Sequence, residues 1–430
     1  MKHAADSSLR RVLNRWDLTA LGVNQVIGSG IYLLPASVAV LVGAGASPLA
    51  WLAAALVNLL IILCFAEVGT RFRQAGGPYL YAREAFGAFA GFEVAWMIWL
   101  TRVASQGALA NAFADYLAFF WPAANVGVGR IVTLTAVIGG LAALNRRGVR
   151  QGSWAVNFFT VSKLIPLLVF VAVGVFFIDW NAFSGWTQPR SVGFLEAVLL
   201  LMYAYGGYEL ITLPAGEAQS PRRDIPWALM LTIVLVTAVF LSVQMVAVGT
   251  LPGIETSDRP LADAAIRFLD PLLGPLGGVF MALGGLISIA GANAGTMLAG
   301  PRVTFAMGRR GQVPAFFAHV HPRFQTPDYS ILAYATVALV LALSGGFVEL
   351  AIVSAVARLV FYAATCAAVP VLRRRGPQAG FQLPGGVLIP TVALVATASL
   401  LLGATRQSLL AGGAALAAGA LFHFLYRRSD

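Results

Sequence analysis

The sequence predicts an all-α membrane protein of about twelve transmembrane helices, and three observations carry that expectation. Of 430 residues, 59% are hydrophobic and only 11% are charged, whereas soluble domains carry about 25% charged residues. Mean hydropathy is +0.79, too high for a surface kept in water. Apolar segments long enough to cross the hydrocarbon core, about 20 residues each, recur along the chain, broken by charge clusters or by Gly and Pro.

In order, the spans are 17–41, 48–68, 88–120, 130–145, 154–178, 193–216, 227–250, 275–300, 329–344, 347–372, 386–404 and 408–426. The first follows a polar tail, 1–16, too hydrophilic for a cleavable signal. Its apolar run is too long for a signal h-region and lacks a small-residue cleavage site, so it reads as a retained helix. The ninth and tenth spans are divided at Gly345–Gly346. Between the seventh and eighth, LADAAIRFL at 261–269 reads as a short amphipathic helix in an outer loop.

The formal charge of +11 invites a nucleic-acid reading, but its distribution argues for topology instead. Twenty-one of the 29 basic residues fall on one set of alternate loops: Lys2, Arg10, Arg11 and Arg15; Arg71, Arg73 and Arg83; Arg146, Arg147 and Arg150; Arg222 and Arg223; Arg302, Arg309, Arg310 and Arg323; Arg373, Arg374 and Arg375; Arg427 and Arg428. The other side has five: Arg130, Arg190, Arg259, Arg267 and Arg406. The positive-inside rule then puts both termini in the cytoplasm of a multi-pass cell-membrane protein. An even number of spans agrees. Cys64 and Cys366 both lie in apolar runs and read as small buried hydrophobes, not a disulfide.

Two spans look built to break. Gly28-Ser29-Gly30 sits near the middle of the first, followed by Pro35, and Gly206-Gly207 near the middle of the sixth, followed by Pro214. They open two five-helix blocks, 17–178 and 193–372, the layout of an inverted-repeat transporter with two interrupted helices. Unwinding frees N–H and C=O groups that lipid cannot satisfy, so each break must face protein or a polar cavity. Half-helix N-termini suit a carboxylate, and freed carbonyls suit an ammonium group. A free amino acid presents both.

These residues resemble the amino acid–polyamine–organocation (APC) superfamily, in its amino acid permease family. IGSGIYLLP at 27–35 resembles the family's first-helix glycine motif, and AEVGTRFRQAGGPYLYAREAFG at 66–87 the loop after helix 2. YAYGGYE at 203–209 with GEAQSPRRDIPWAL at 216–229 resembles the sixth helix and its exit. RVTFAMGRRGQVPAFFAHVHPRFQTP at 302–327 resembles the loop after helix 8. The resemblance covers essentially the whole chain. It implies a LeuT-type five-plus-five inverted repeat with two peripheral C-terminal helices, 386–426. It also implies that Gly28, Ser29 and Gly30 hold a substrate carboxylate. Val26 and Ile27, with Tyr203, Ala204 and Gly206, would offer carbonyls to the amino group. Tyr203 takes the place of a gating aromatic. Gly206 stands where relatives often carry a bulky residue, which suggests a roomier side-chain pocket.

Among the ionisable residues within spans, Lys163 is the sharpest. It lies about nine residues into its span, and arginine occupies 27 of the 29 basic positions, so lysine here looks specifically required. Arginine stays charged, whereas a lysine away from water can release its proton. In sodium-independent relatives, a lysine at this place resembles a substitute for sodium that braces the broken first helix. Bracing and proton coupling both fit. Glu209, beside the second break, reads as a coupling or gating group. Glu93, Arg102 and Arg358 are expected to pair inside the bundle. Glu93 and Arg102, nine residues apart, fall on opposite helix faces. Glu67 and Glu217, at helix ends, fit a gate or a solvated terminus. His319 and His321 lack the further ligands of a metal site.

No P-loop and no His-Glu-x-x-His motif occurs, so neither an ATP-driven pump nor a metalloprotease is supported, and no enzyme, cofactor or nucleic-acid partner is expected. The leading expectation is a sodium-independent secondary transporter of amino acids working by alternating access, as a proton symporter or an exchanger (antiporter), monomer or homodimer. One alternative is a polyamine or amine permease, which would leave the carboxylate site partly unused. Another is a non-transporting sensor or accessory subunit, which need not keep costly intramembrane charges.

Overall fold

A computed structural model describes residues 13–72, 77–148, 153–184, 191–212, 218–274, 276–375 and 378–426. Lys2, Arg10, Arg11, Arg73, Arg150, Arg190, Arg427 and Arg428 of the topology argument lie outside these residues, as do Glu217 and Pro214. Hydrocarbon offers the backbone no hydrogen-bond partner, so a chain this apolar satisfies its amides within helices. Among the described residues there are fifteen α-helices and no strand; the one β-bridge pairs Leu13 with Ala218.

The order is α1 (Arg15–Val26), α2 (Gly30–Val42), α3 (Ser47–Gly69), α4 (Gly77–Phe86), α5 (Ala88–Leu117), α6 (Gly127–Arg146), α7 (Ser153–Gly174) and α8 (Ser191–Tyr205). It continues with α9 (Pro221–Thr250), α10 (Pro260–Leu273), α11 (Leu276–Arg309), α12 (Asp328–Ser344), α13 (Phe347–Arg375), α14 (Leu388–Leu400) and α15 (Arg406–Tyr426). A helix lies within every apolar segment expected to span. By length and apolarity, six of them (α3, α6, α9, α11, α13 and α15) can cross a membrane alone, and α1 with α2, bent by 50°, makes a seventh. α12 and α14 are shorter apolar helices. α5 is 30 residues long, and Arg102, Gln106 and Asn111 dilute its apolar character. The amphipathic segment expected at 261–269 is the core of α10.

Several helices outrun their apolar stretch. α11 continues past 300 to Arg309 and α9 begins at Pro221, before the expected 227. Arginine is a good helix former and proline is at home in a first turn, so the end of the apolar stretch does not end the helix. α1 starts where Asn14 and Asp17 form a capping box, with the Asn14 side chain accepting from the Trp16 and Asp17 amides and Asp17 accepting from the Asn14 amide.

α5 is central, packing against α11, α12 and α13. Small residues bring the backbones close, as is usual between membrane helices: a Cβ on Gly107 would stand 2.9 Å from Leu350 and 3.3 Å from the Ala342 amide nitrogen. Polar pairs fix the register. Gln106 donates to Asn293 at 2.8 Å, linking α5 to α11, and the Ser105 and Ser354 hydroxyls meet at 2.8 Å, linking α5 to α13. α2 packs against α8, and α1 against α9 and the 3-10 segment Tyr208–Thr212. α14 and α15 lie against α3, α5 and α13. Cys64 and Cys366 are free and buried.

Glu67 departs from the solvated terminus considered above: it is fully buried. It accepts from Arg71 at 2.8 Å, from Arg373 at 2.8 and 2.6 Å, and from the Leu383 amide at 2.9 Å. The segment between α13 and α14 thus closes over the end of α3, with the Gly380 and Phe381 amides donating to the Thr70 hydroxyl. His319 is likewise structural, its Nδ1 lying 2.7 Å from Asp328, while the His321 ring accepts from the Arg323 and Phe324 amides.

Candidate functional site

Both glycine-marked breaks occur within a residue or two of their motifs. α1 ends at Val26, Ile27 turns to an extended conformation, and α2 starts at Gly30. Among the described residues, the amides of Gly28 and Ser29 have no protein hydrogen-bond partner, and the nearest atom to a Cβ placed on Gly28 would be 4.0 Å away. Free amides at the start of a 13-residue helix form an anion-binding end.

The second break follows α8. Gly206 and Gly207 turn the chain into the 3-10 segment Tyr208–Thr212. Gly207 has φ +126°, a conformation that disfavours a side chain; a Cβ there would also stand 2.8 Å from the Gln25 carbonyl oxygen. The two broken helices therefore touch at their interruptions. Gly30 faces Ala204 so closely that a Cβ would sit 3.0 Å from its Cα, and the Ser29 and Tyr203 hydroxyls are 3.3 Å apart. Tyr203 stands edge-on to Phe347. Its carbonyl accepts the Gly206 amide at 3.3 Å, so it is partly used within the break itself.

A cavity of about 350 Å³ opens between these breaks. Its lining includes the ten residues that the sequence assigns to substrate binding or to coupling beside the breaks: Val26, Ile27, Gly28, Ser29, Gly30, Lys163, Tyr203, Ala204, Gly206 and Glu209. None of the residues of α14 or α15 contributes. The volume is within the usual range for small-molecule sites, about 300–1,000 Å³.

The buried Lys163 side chain donates from Nζ to the Asn24 carbonyl, in the last turn of α1. It is tied at a second point, since the Tyr32 hydroxyl in α2 donates to the Lys163 carbonyl at 3.1 Å. Lys163 thus contacts both halves of the broken first helix. Glu209 is also buried. Its carboxylate accepts from the Gly207 amide at 2.9 Å and the Tyr362 hydroxyl at 3.0 Å, and lies 3.9 Å from the Arg358 guanidinium.

The expectation of a roomier pocket at Gly206 is overturned. The position a Cβ would take is already filled by the Arg358 guanidinium, reaching across from α13. Nor do the remaining span charges all pair. Arg102 lines the cavity with no carboxylate oxygen within 4.0 Å among the described residues. Glu93 points the other way, toward Gly419 of α15, and its buried oxygens have no hydrogen-bond partner in the described structure. Their opposite placement follows their spacing, as expected; the partner elsewhere in the bundle expected for each is not found among the described residues. Tyr362 was not singled out from the sequence at all. It lies one turn after Arg358, on the same face of α13, and a helical-face reading of 347–372 links the two.

A family model described as amino acid permease matches residues 13–412. The serine/threonine exchanger SteT of Bacillus subtilis (strain 168) is 29% identical, over 94% of this chain and 93% of its own length. The methylthioribose transporter of the same organism is 26% identical, over 98% of this chain and 94% of its own length. The Mus musculus cationic amino acid transporter 4 is 30% identical over 79% of this chain, which spans 56% of that transporter's length. With two broken helices meeting at a shared cavity and a family match running through nearly all of the sequence, this chain belongs to the amino acid permease family.

Proposed function

We propose that the protein is a sodium-independent secondary transporter that moves amino acids across the cell membrane by alternating access, through proton symport or amino acid exchange. The observation that carries this reading is the meeting of the two breaks across one cavity, with the Gly28 and Ser29 amides lacking a partner among the described residues and the Ser29 and Tyr203 hydroxyls 3.3 Å apart. On this reading the α2 N-terminus takes the substrate carboxylate, with Gly28, Ser29 and Gly30 as donors. Carbonyls of Val26, Ile27, Tyr203, Ala204 and Gly206 receive the amino group.

The fold proposed with it has twelve crossings: a five-helix repeat over 17–178, an inverted repeat over 193–372, and a peripheral pair over 386–426. The basic clusters orient both termini to the cytoplasm. In that orientation the cavity lining favours the inner half, because Asn24, Gln25, Glu209, Leu210, Leu298 and Ala299 belong to it. The outer halves α2 and α8 are packed tightly at Gly30 and Ala204. Lys163 supplies a fixed positive group where the broken helix needs bracing, which accounts for operation without sodium.

Proteoliposomes containing the purified full-length protein test this reading. Labelled amino acids are offered with an inward proton gradient, or with unlabelled amino acid trapped inside. Saturable uptake under at least one condition is expected, without sodium. No uptake of any amino acid under either condition would overturn the proposal.

A further inference from the structure

The proposed transport function leaves the side-chain end of the substrate open, and the three relatives carry names of chemically different cargoes. The cavity's own charges narrow the choice. We propose that this site selects amino acids with an acidic side chain, and that Arg102 and Arg358 receive the side-chain carboxylate; the inference rests on the amino acid transporter reading.

Among the described residues, three cationic side chains line the cavity, Arg102, Lys163 and Arg358, against one carboxylate, Glu209. The backbone of a free amino acid is a zwitterion and changes that balance by nothing. A neutral substrate therefore leaves an excess of positive charge enclosed in a low-dielectric site, and a cationic substrate adds to it. An acidic side chain offsets it.

The hydrogen bonds point the same way. Lys163 is engaged by the Asn24 carbonyl. Glu209 is held by the Gly207 amide and the Tyr362 hydroxyl, and its 3.9 Å separation from Arg358 is too long for a direct hydrogen bond. Arg358 is only 7% exposed, yet its Nε and Nη1 have no hydrogen-bond partner in the described structure. Leaving buried donors unmade is costly, and a guanidinium matches a carboxylate through two parallel N–H bonds. Arg102 also reaches the cavity, with no carboxylate of its own within 4.0 Å among the described residues. Gly206 makes the arrangement possible, because any side chain there would occupy the space that the Arg358 guanidinium fills.

A polyamine lies at the other extreme. It has no carboxylate for the α2 N-terminus and would bring several positive charges beside the three already present. The same residues that favour an acidic substrate therefore disfavour the amine-permease alternative.

The test is uptake of labelled L-glutamate and its neutral isostere L-glutamine by proteoliposomes, with L-aspartate and L-lysine as competitors, under both driving conditions described above. Glutamate is expected to be taken up at least about tenfold more efficiently than glutamine, given the strength of charge-assisted hydrogen bonds. Aspartate should compete and lysine should not. Arg358→Gln and Arg102→Gln should each lower the glutamate-to-glutamine ratio by about tenfold or more. Arg358→Lys, which keeps the charge but not the planar fork, should give an intermediate ratio. The wild-type comparison decides even if a variant does not fold. Equal or better uptake of glutamine, or competition by lysine, would overturn the acidic selectivity while leaving amino acid transport standing. Absence of uptake for every amino acid would instead overturn the transport reading, and this inference with it.

Discussion

Lys163→Ala is expected to lower uptake by roughly 10- to 100-fold, the range set by a hydrogen bond to a charged group of about 1.5–3 kcal/mol. The physical reason is local. Lys163 donates to the Asn24 carbonyl at the end of α1, and its own carbonyl accepts from Tyr32 in α2. Alanine keeps the second link, which uses the backbone, and removes the first, leaving a helix-end carbonyl at the break without its cation. The protein should still be recovered folded, because the change is confined to the edge of a cavity. Uptake in proteoliposomes at several pH values checks it. Wild-type rates with a wild-type pH profile would show that Lys163 neither braces the break nor carries a coupled proton.

Glu67→Ala should have the largest effect on stability. The carboxylate is fully buried between Arg71 and Arg373 and also accepts the Leu383 amide. Removing one member of a buried charge network costs roughly 3–5 kcal/mol, because the remaining charge loses its compensation. The cost is shared between two places, the end of α3 and the segment that joins α13 to α14. A fall in Tm on the order of 5 °C in detergent is expected, with Glu67→Gln falling less because the amide oxygen still accepts. An unchanged Tm in Glu67→Ala would contradict the role assigned to this network.

What the sequence made legible, it made legible through local chemistry. Gly28-Ser29-Gly30 and Gly206-Gly207 interrupt apolar runs, and the helices stop at Val26 and Tyr205, within a residue or two of where those motifs begin. Lys163 stood out because a lone lysine among arginines in an apolar span is costly to keep. The opposite directions of Glu93 and Arg102 follow from helical geometry alone.

What stayed hidden depends on contacts between distant parts of the chain. A missing side chain at Gly206 suggests space, but the sequence does not say what fills it. Arg358, far along the chain in α13, takes that volume. Tyr362 reaches Glu209 through the same long-range packing. Glu67, at a helix end, fits a gate or a solvated terminus equally well in sequence, and it is buried because the segment after α13 folds over it. Ends of helices were misjudged for a simpler reason. The expected spans followed hydrocarbon thickness, whereas α9 and α11 keep their hydrogen-bond ladders beyond the apolar stretch, from Pro221 and to Arg309.

The account rests on one claim, that the two breaks together grip the backbone of a free amino acid. A structure with a transported amino acid bound tests it most directly. The account predicts the α-carboxylate within hydrogen-bond distance of the Gly28, Ser29 and Gly30 amides, and the amino group among the carbonyls of Val26, Ile27, Tyr203 and Ala204. An amino group seated on the α2 N-terminus, or a substrate bound away from both breaks, would contradict it.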